Sequence, residues 1–187
     1  MVARMNLWLR LLWLFLTVRF RPRLKLPDDA SVLTLHVLPN DLDTNLHMNN
    51  GRYFTIMDLG RMDILLRAGM WAIIRKRMWA PMLAASKIRF RLPLAPFQKF
   101  RLETRILCWD SVWFFFEQRF IIADGDKAGA VAAIAIMRAG FRDGHAQAMV
   151  PAATVMDILG ISTPSPVEPR HITEWKRAEA ALKEVTA

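Results

Sequence analysis

Residues 41 to 53 read Asp-Leu-Asp-Thr-Asn-Leu-His-Met-Asn-Asn-Gly-Arg-Tyr, which gathers two carboxylates, a histidine and three side-chain amides into one short stretch. An ionised carboxylate beside a carbonyl carbon can attack it or deprotonate a water. The first amides of a helix lack intrahelical partners, so they can receive the charge that develops on the carbonyl oxygen. Asp43 is the candidate for the first role, ahead of Asp41, and the amides near Asn50 and Gly51 for the second. His47 reads either as a group that binds the reacting region or activates water, or as a hydrogen-bonded loop residue. Asn49 and Asn50 either orient substrate and water or cap a helix. The same residue types also build plain turns and caps, so the residues alone leave a structural loop open as the alternative. No His or Cys spacing points to a metal, and there is no Ser–His pair and no glycine-rich phosphate loop. No metal or cofactor is therefore expected.

The elements around the stretch follow from periodicity. Ser31 to Leu38 alternates as a strand. A helix is expected from Asn49 or Asn50 to about Gly69, with Tyr53, Ile56, Met57, Gly60 and Ile64 on one face and Gly60 allowing close backbone approach. Trp71 to Trp79 reads as a second short helix. Strands follow at Leu83 to Leu92, Lys99 to Cys108, Val112 to Ala123 and Gly129 to Arg142, with a hairpin turn at Asp124-Gly125-Asp126. This order predicts an α+β domain, a curved antiparallel meander wrapped around one long central helix. Its third predicted strand in that series carries Phe114, Phe116, Phe120 and Ile122 against Glu117 and Arg119, read as one packed and one polar face. The alanine-rich run Val131 to Met137 reads as a central strand under a closely pressed helix. Pro151 opens a short helix, and prolines 164, 166 and 169 mark a linker before a polar helix. The expected organisation is a basic amphipathic arm over 1–27, the main domain over 28–160, and a linker and polar helix over 161–187.

The segment from Asn40 to Tyr53 resembles the active-site segment of hotdog thioesterases of the 4-hydroxybenzoyl-CoA thioesterase-like branch, in which an Asp-x-Asp is followed by His, Asn-Asn and Tyr. The resemblance covers the predicted elements from Ser31 to Arg142. It implies a hotdog fold and hydrolysis of an acyl-CoA thioester to free acid and CoA. Asp43 matches the family's catalytic aspartate, acting as nucleophile or general base, with the amides near Asn50 and Gly51 polarising the carbonyl. Tyr53 matches the aromatic of the first helical turn; with His47, Asn49, Asn50 and Gly51 it completes the expected substrate-binding set. The resemblance also implies a homodimer or homotetramer with sites between subunits. One departure is Leu46, which stands where many members have glycine.

The charge is uneven. Residues 1–27 hold six of the 26 cationic residues and no acid, whereas the remaining twenty face 17 acids, leaving +3 of the net +9. This weakens nucleic acid as a partner and favours an anionic membrane surface. On a helical wheel Asn6, Arg10, Thr17 and Arg21 form a narrow polar stripe among Trp8, Leu9, Leu12, Trp13, Phe15 and Leu16, the pattern of an interfacial helix. The apolar run Leu11 to Val18 is too short to cross a bilayer, which takes roughly twenty residues. Arg19-Phe20-Arg21-Pro22 follows where a signal peptide would have small residues, so no cleavage is expected. The lone Cys108 reads as a buried thiol. The expected setting is cytoplasmic, with peripheral membrane contact through residues 1–26 and, as the alternative, packing of that helix on its own domain. A non-catalytic acyl-binding or membrane-associated protein with the same fold is the alternative to the enzyme.

Overall fold

The computed structural model describes the backbone of residues 2–185 and the side chains of residues 7–185. Helix α1 (Val2–Thr17) precedes strand β1 (Ser31–His36), and the polar loop then leads into α2 (Asn50–Arg67), the longest helix. A short helix α3 (Met70–Arg77) follows, then β2 (Trp79–Phe90), β3 (Lys99–Trp109), β4 (Phe114–Ile122) and β5 (Val131–Asp143). Helices α4 (Ala152–Ile158) and α5 (Arg170–Val185) close the chain.

All five strands form one antiparallel sheet in the order β1-β3-β4-β5-β2. Strands β3, β4 and β5 are the expected meander. Strand β2 departs from it, because it pairs with β5 at the far edge and not with β3. It also begins at Trp79, which the sequence placed at the end of a helix. The chain turns there through Met78 in a left-handed conformation, φ 54°. The central strand of the five is β4; the alanine-rich β5 is its neighbour.

Helix α2 lies on the concave face of the sheet and buries Tyr53, Ile56, Met57, Leu59, Gly60, Asp63 and Ile64. Gly60 permits this distance. A methyl at residue 60 would fall on the Thr104 hydroxyl, 2.9 Å from Gln118 Nε2 and 3.0 Å from Leu102 Cδ2. The same spot is tied by polar contacts: Gln118 Nε2 donates to Met57 O at 2.9 Å and to Thr104 Oγ1 at 2.8 Å. A glycine and a satisfied amide together seat the helix where a longer side chain would lift it.

The outer face of the sheet is covered as well. Ile172 and Trp175 of α5 pack on Cys108, Phe115 and Ile136, so the thiol is buried as expected and burial pushes its pKa up to about 11. The face of β4 read as polar is correspondingly enclosed: Glu117 is buried and meets Arg105 and Arg119 at 3.1 and 2.9 Å. Alternation with charged residues identified the outer face but not its cover, which comes from a helix some fifty residues away.

Helix α1 docks on the domain by the face read as polar. Arg10 donates to Asp41 Oδ2 at 2.7 Å and to His36 O at 2.9 Å. Beyond the helix, Arg21 meets Asp63 Oδ1 at 2.5 Å, and Ser31 Oγ and Arg67 reach Asp63 Oδ2 at 2.6 and 3.1 Å. Both aspartates are buried, and removing a partner from a buried ion pair typically costs about 3–5 kcal/mol. Leu14 is buried between these anchors. What remains outside is apolar: Trp8, Leu9, Leu12, Trp13, Leu16 and Phe20 are all exposed, Trp8 at 66% and Phe20 at 75%. The helix is thus inverted relative to an ordinary surface helix. Among the described residues no helix is long and apolar enough to cross a membrane.

Gly60→Ala should destabilise the protein by about 3 kcal/mol, the upper range for overpacking a filled core. Equilibrium urea unfolding measures this, and an alanine variant as stable as the parent would show that the helix has room to move.

Candidate active site

The loop between β1 and α2 folds back on itself as a small hairpin. Leu42 bridges Met48 in antiparallel fashion, and the Asp43 amide donates to His47 O at 2.9 Å. Met48 is buried and its amide donates to Leu94 O at 2.9 Å, while the Asn49 amide donates to Asp41 O at 2.8 Å. The buried Asp41 carboxylate accepts from Arg10 and from the Leu38 amide, so it serves to hold the loop's base. Arg52 adds two bonds to Asn40 O, at 3.1 and 2.8 Å.

Asp43 sits half-buried on this base. Its Oδ1 accepts from the Asn45 amide at 2.9 Å and from the His47 amide at 3.3 Å. These two bonds fix the orientation of the carboxylate at the surface of the loop. The tip is Leu46, exposed and left-handed at φ 57°. A leucine pays for that conformation where glycine does not, which gives a physical reason for the glycine expected at this position.

At the start of α2, Asn49 is the cap: its Oδ1 accepts from the Gly51 amide at 2.8 Å. The Arg52 amide donates to Asn49 O at 2.8 Å. Of the helix-start donors expected to receive a carbonyl oxygen, Gly51 is therefore held by its own cap. The Asn50 amide meets no acceptor among the described residues, and Asn50 is exposed. Asn49, Asn50, Gly51 and His47 all lie at the surface of this one corner.

Tyr53 lies elsewhere. Its ring is 2% exposed and packs edge-on against Phe120 and Phe90, with centroids 4.7 and 5.0 Å away. Burial pushes its phenol up to about 12. In this structure Tyr53, expected in the substrate-binding set, stands apart from the exposed corner and pins the first helical turn to the sheet. Among the described residues no cluster of His, Cys, Asp or Glu is built for a metal.

An apolar cavity of about 350 Å³ opens further along α2. It lies between that helix, α1 and strands β2, β4 and β5, and the loop residues do not line it. Sequence reading missed it, because its walls come from five separate elements. Asp58 and Arg61 pair with each other on its wall.

A curved antiparallel sheet wrapped on one long buried helix is the hotdog fold, and the solved structures that resemble this chain carry it. The probable thioesterase YbaW from Escherichia coli superposes with a TM-score of 0.62 at 17% identity, covering 68% of this chain and 94% of that one. Slr0204 from Synechocystis, a 1,4-dihydroxy-2-naphthoyl-CoA thioesterase, gives 0.60 at 13% identity, over 70% and 95%. In sequence, Protein THEM6 of Xenopus laevis is 32% identical over 139 residues, which are 74% of this chain and 63% of that protein. The chain thus spans less than two thirds of that relative. The pattern that defines the thioesterase-like superfamily matches residues 37–173, most of the chain, and the protein belongs to that superfamily.

Leu46→Gly should relieve the left-handed tip and raise stability by about 1 kcal/mol. Thermal and urea unfolding of the two proteins would register it; an unchanged or lower midpoint would mean that the tip carries no strain.

Proposed function

We propose that the protein hydrolyses an acyl-CoA thioester to the free acid and CoA, with Asp43 as the carboxylate that works on the carbonyl. The observation that carries this reading is the pairing, within one loop, of a carboxylate oriented by two backbone amides with an open helix-start amide at Asn50. The thioester oxygen would lie against Asn50 N–H, and against Gly51 N–H once the Asn49 side chain gives way. Each such donor is worth about 3 kcal/mol in a transition state. Asp43 then either attacks the carbonyl carbon or draws a proton from an attacking water, and thiolate leaves. His47 and Asn49 stand at the same exposed corner, where they can bind the thioester or position water.

A homodimer fits the same reading. Strand β2 is a long edge with an unpaired side, and Met82, Leu83 and Phe90 on it are exposed. Such an edge favours pairing with a second copy, which would bring two sites toward one seam.

Contact with an anionic membrane surface is the second part of the proposal. Arg10 and Arg21 are consumed by the domain's own aspartates, which removes two of the arm's six cations from lipid. Arg19, Arg23 and Lys25 remain exposed beside the outward apolar face, and the exposed Arg75, Lys76 and Arg77 of α3 are near, since Trp71 of that helix packs on Phe15 of α1. Tryptophans, leucines and basic side chains on one outer surface suit the headgroup boundary.

Asp43→Asn keeps the oxygen that accepts from the loop amides while removing the charge. It should lower kcat on acyl-CoA by at least about a hundredfold with the fold intact by circular dichroism; full activity in this variant would eliminate Asp43 as the reacting group. Replacing Trp8, Leu12, Trp13 and Leu16 together by serine leaves the Arg10, Leu14 and Arg21 anchors untouched. It should abolish co-sedimentation with phosphatidylglycerol vesicles, and undiminished vesicle binding would remove the membrane from the picture.

A further inference from the structure

The cavity beside α2 has a shape and chemistry that narrow the substrate. Residues 51, 54, 58, 61, 62 and 65 follow one another at helical spacing, so the stripe that begins at the helix start runs directly into the cavity wall. From Gly51 to Asp58 the distance along the axis is about 10 Å at the rise of an α-helix. Phe54, half-exposed between them, supplies an apolar step. Leu7 and Leu11 of α1 and Phe114 and Phe116 of β4 also line the cavity.

Among the described residues, only Asp58 and Arg61 bring charge to this wall. They are joined to each other, and Arg61 Nη1 also donates to Gln118 Oε1 at 2.9 Å and meets the Met137 sulfur at 2.7 Å. The guanidinium is thereby turned toward the sheet, leaving its methylenes to the cavity. Asp58 is largely exposed and marks the rim. Apart from the Asp58 carboxylate and the remaining N–H groups of Arg61, a ligand inside would meet apolar side chains. A hydroxyl set against those apolar side chains would be buried without a partner, whereas an aliphatic chain loses nothing.

We infer that this cavity, walled by α1, receives the tail of a long aliphatic acyl chain whose thioester lies at the start of α2. The inference rests on the proposed thioesterase reading for the position of the thioester, but the tail site is set by the cavity alone. The volume, about 350 Å³, falls within the range of ligand sites and gives room for one chain. Leu11 and Ala139 determine how deep the chain reaches: the first is part of the roof and the second is a small residue on the floor.

The test uses CoA thioethers, which lack the carbonyl and are not hydrolysed, so that binding is read independently of turnover. Calorimetry on the full chain should show hexadecyl-CoA binding about tenfold or more tighter than butyl-CoA. Ala139→Phe, which fills the floor, should erase that difference while leaving butyl-CoA unchanged. Leu11→Ala, which thins the roof without adding bulk, should weaken hexadecyl-CoA alone and guards against misfolding of the larger variant. Equal affinity for the two thioethers, or discrimination untouched by both substitutions, overturns the tail site even if Asp43-dependent hydrolysis is found. Discrimination that follows the cavity in a protein without hydrolase activity sustains the tail site and sinks the enzyme reading instead.

Discussion

The fold depends on how near α2 can come to the sheet. Gly60 has no side chain to hold the helix away from Thr104 and Gln118, and Gln118 satisfies a helix carbonyl from below. With the helix seated, Tyr53 reaches Phe120 and the first turn is fixed in place. The loop before it then has little freedom: Met48 is buried, and the backbone at Asn49 is tied to Asp41. The exposed donors of the helix start and the carboxylate of Asp43 are left at the surface by elements that cannot easily shift.

A second constraint comes from two buried carboxylates. Asp41 at the base of the loop and Asp63 on α2 each pair with an arginine of the N-terminal arm, Arg10 and Arg21, in addition to Arg52 and Arg67 of α2. The arm therefore closes the domain and supplies part of a cavity wall, while its unused apolar face points away. Desolvation weakens the charged form of Arg61 and is opposed by Asp58, so that pair is held together by the apolar surroundings it borders.

Much of this was legible in the residues because it is local. The hydrophobic period marked α2 within two residues of its ends, the alternating runs marked all five strands, and the spacing of the polar loop singled out the corner at which Asp43, His47, Asn49, Asn50 and Gly51 are found. What could not be read depends on partners distant in sequence. The polar stripe of α1 was taken as its wet side, yet Arg10 and Arg21 turn inward because acids 31 and 42 residues away are buried there. Glu117 lies under cover for a similar reason, and the placement of β2 beside β5 follows from sheet pairing that no pattern within β2 specifies. Tyr53 shows the same limit at the site: its position on the first turn is visible in sequence, but which way the ring points is decided by Phe90 and Phe120.

The contact between Arg10 and Asp41 reaches beyond anchoring. Asp41 also accepts, through its carbonyl, from the residue that caps α2, so the arm is one residue removed from the cap and two from Asp43. Mechanical or chemical strain on the first helix is therefore delivered to the corner where a carbonyl would rest. A shortened protein stripped of its greasy leader for convenience would retain the sheet yet leave Asp41 with Arg52, at 3.7 Å, as its remaining cationic neighbour at the base of the loop.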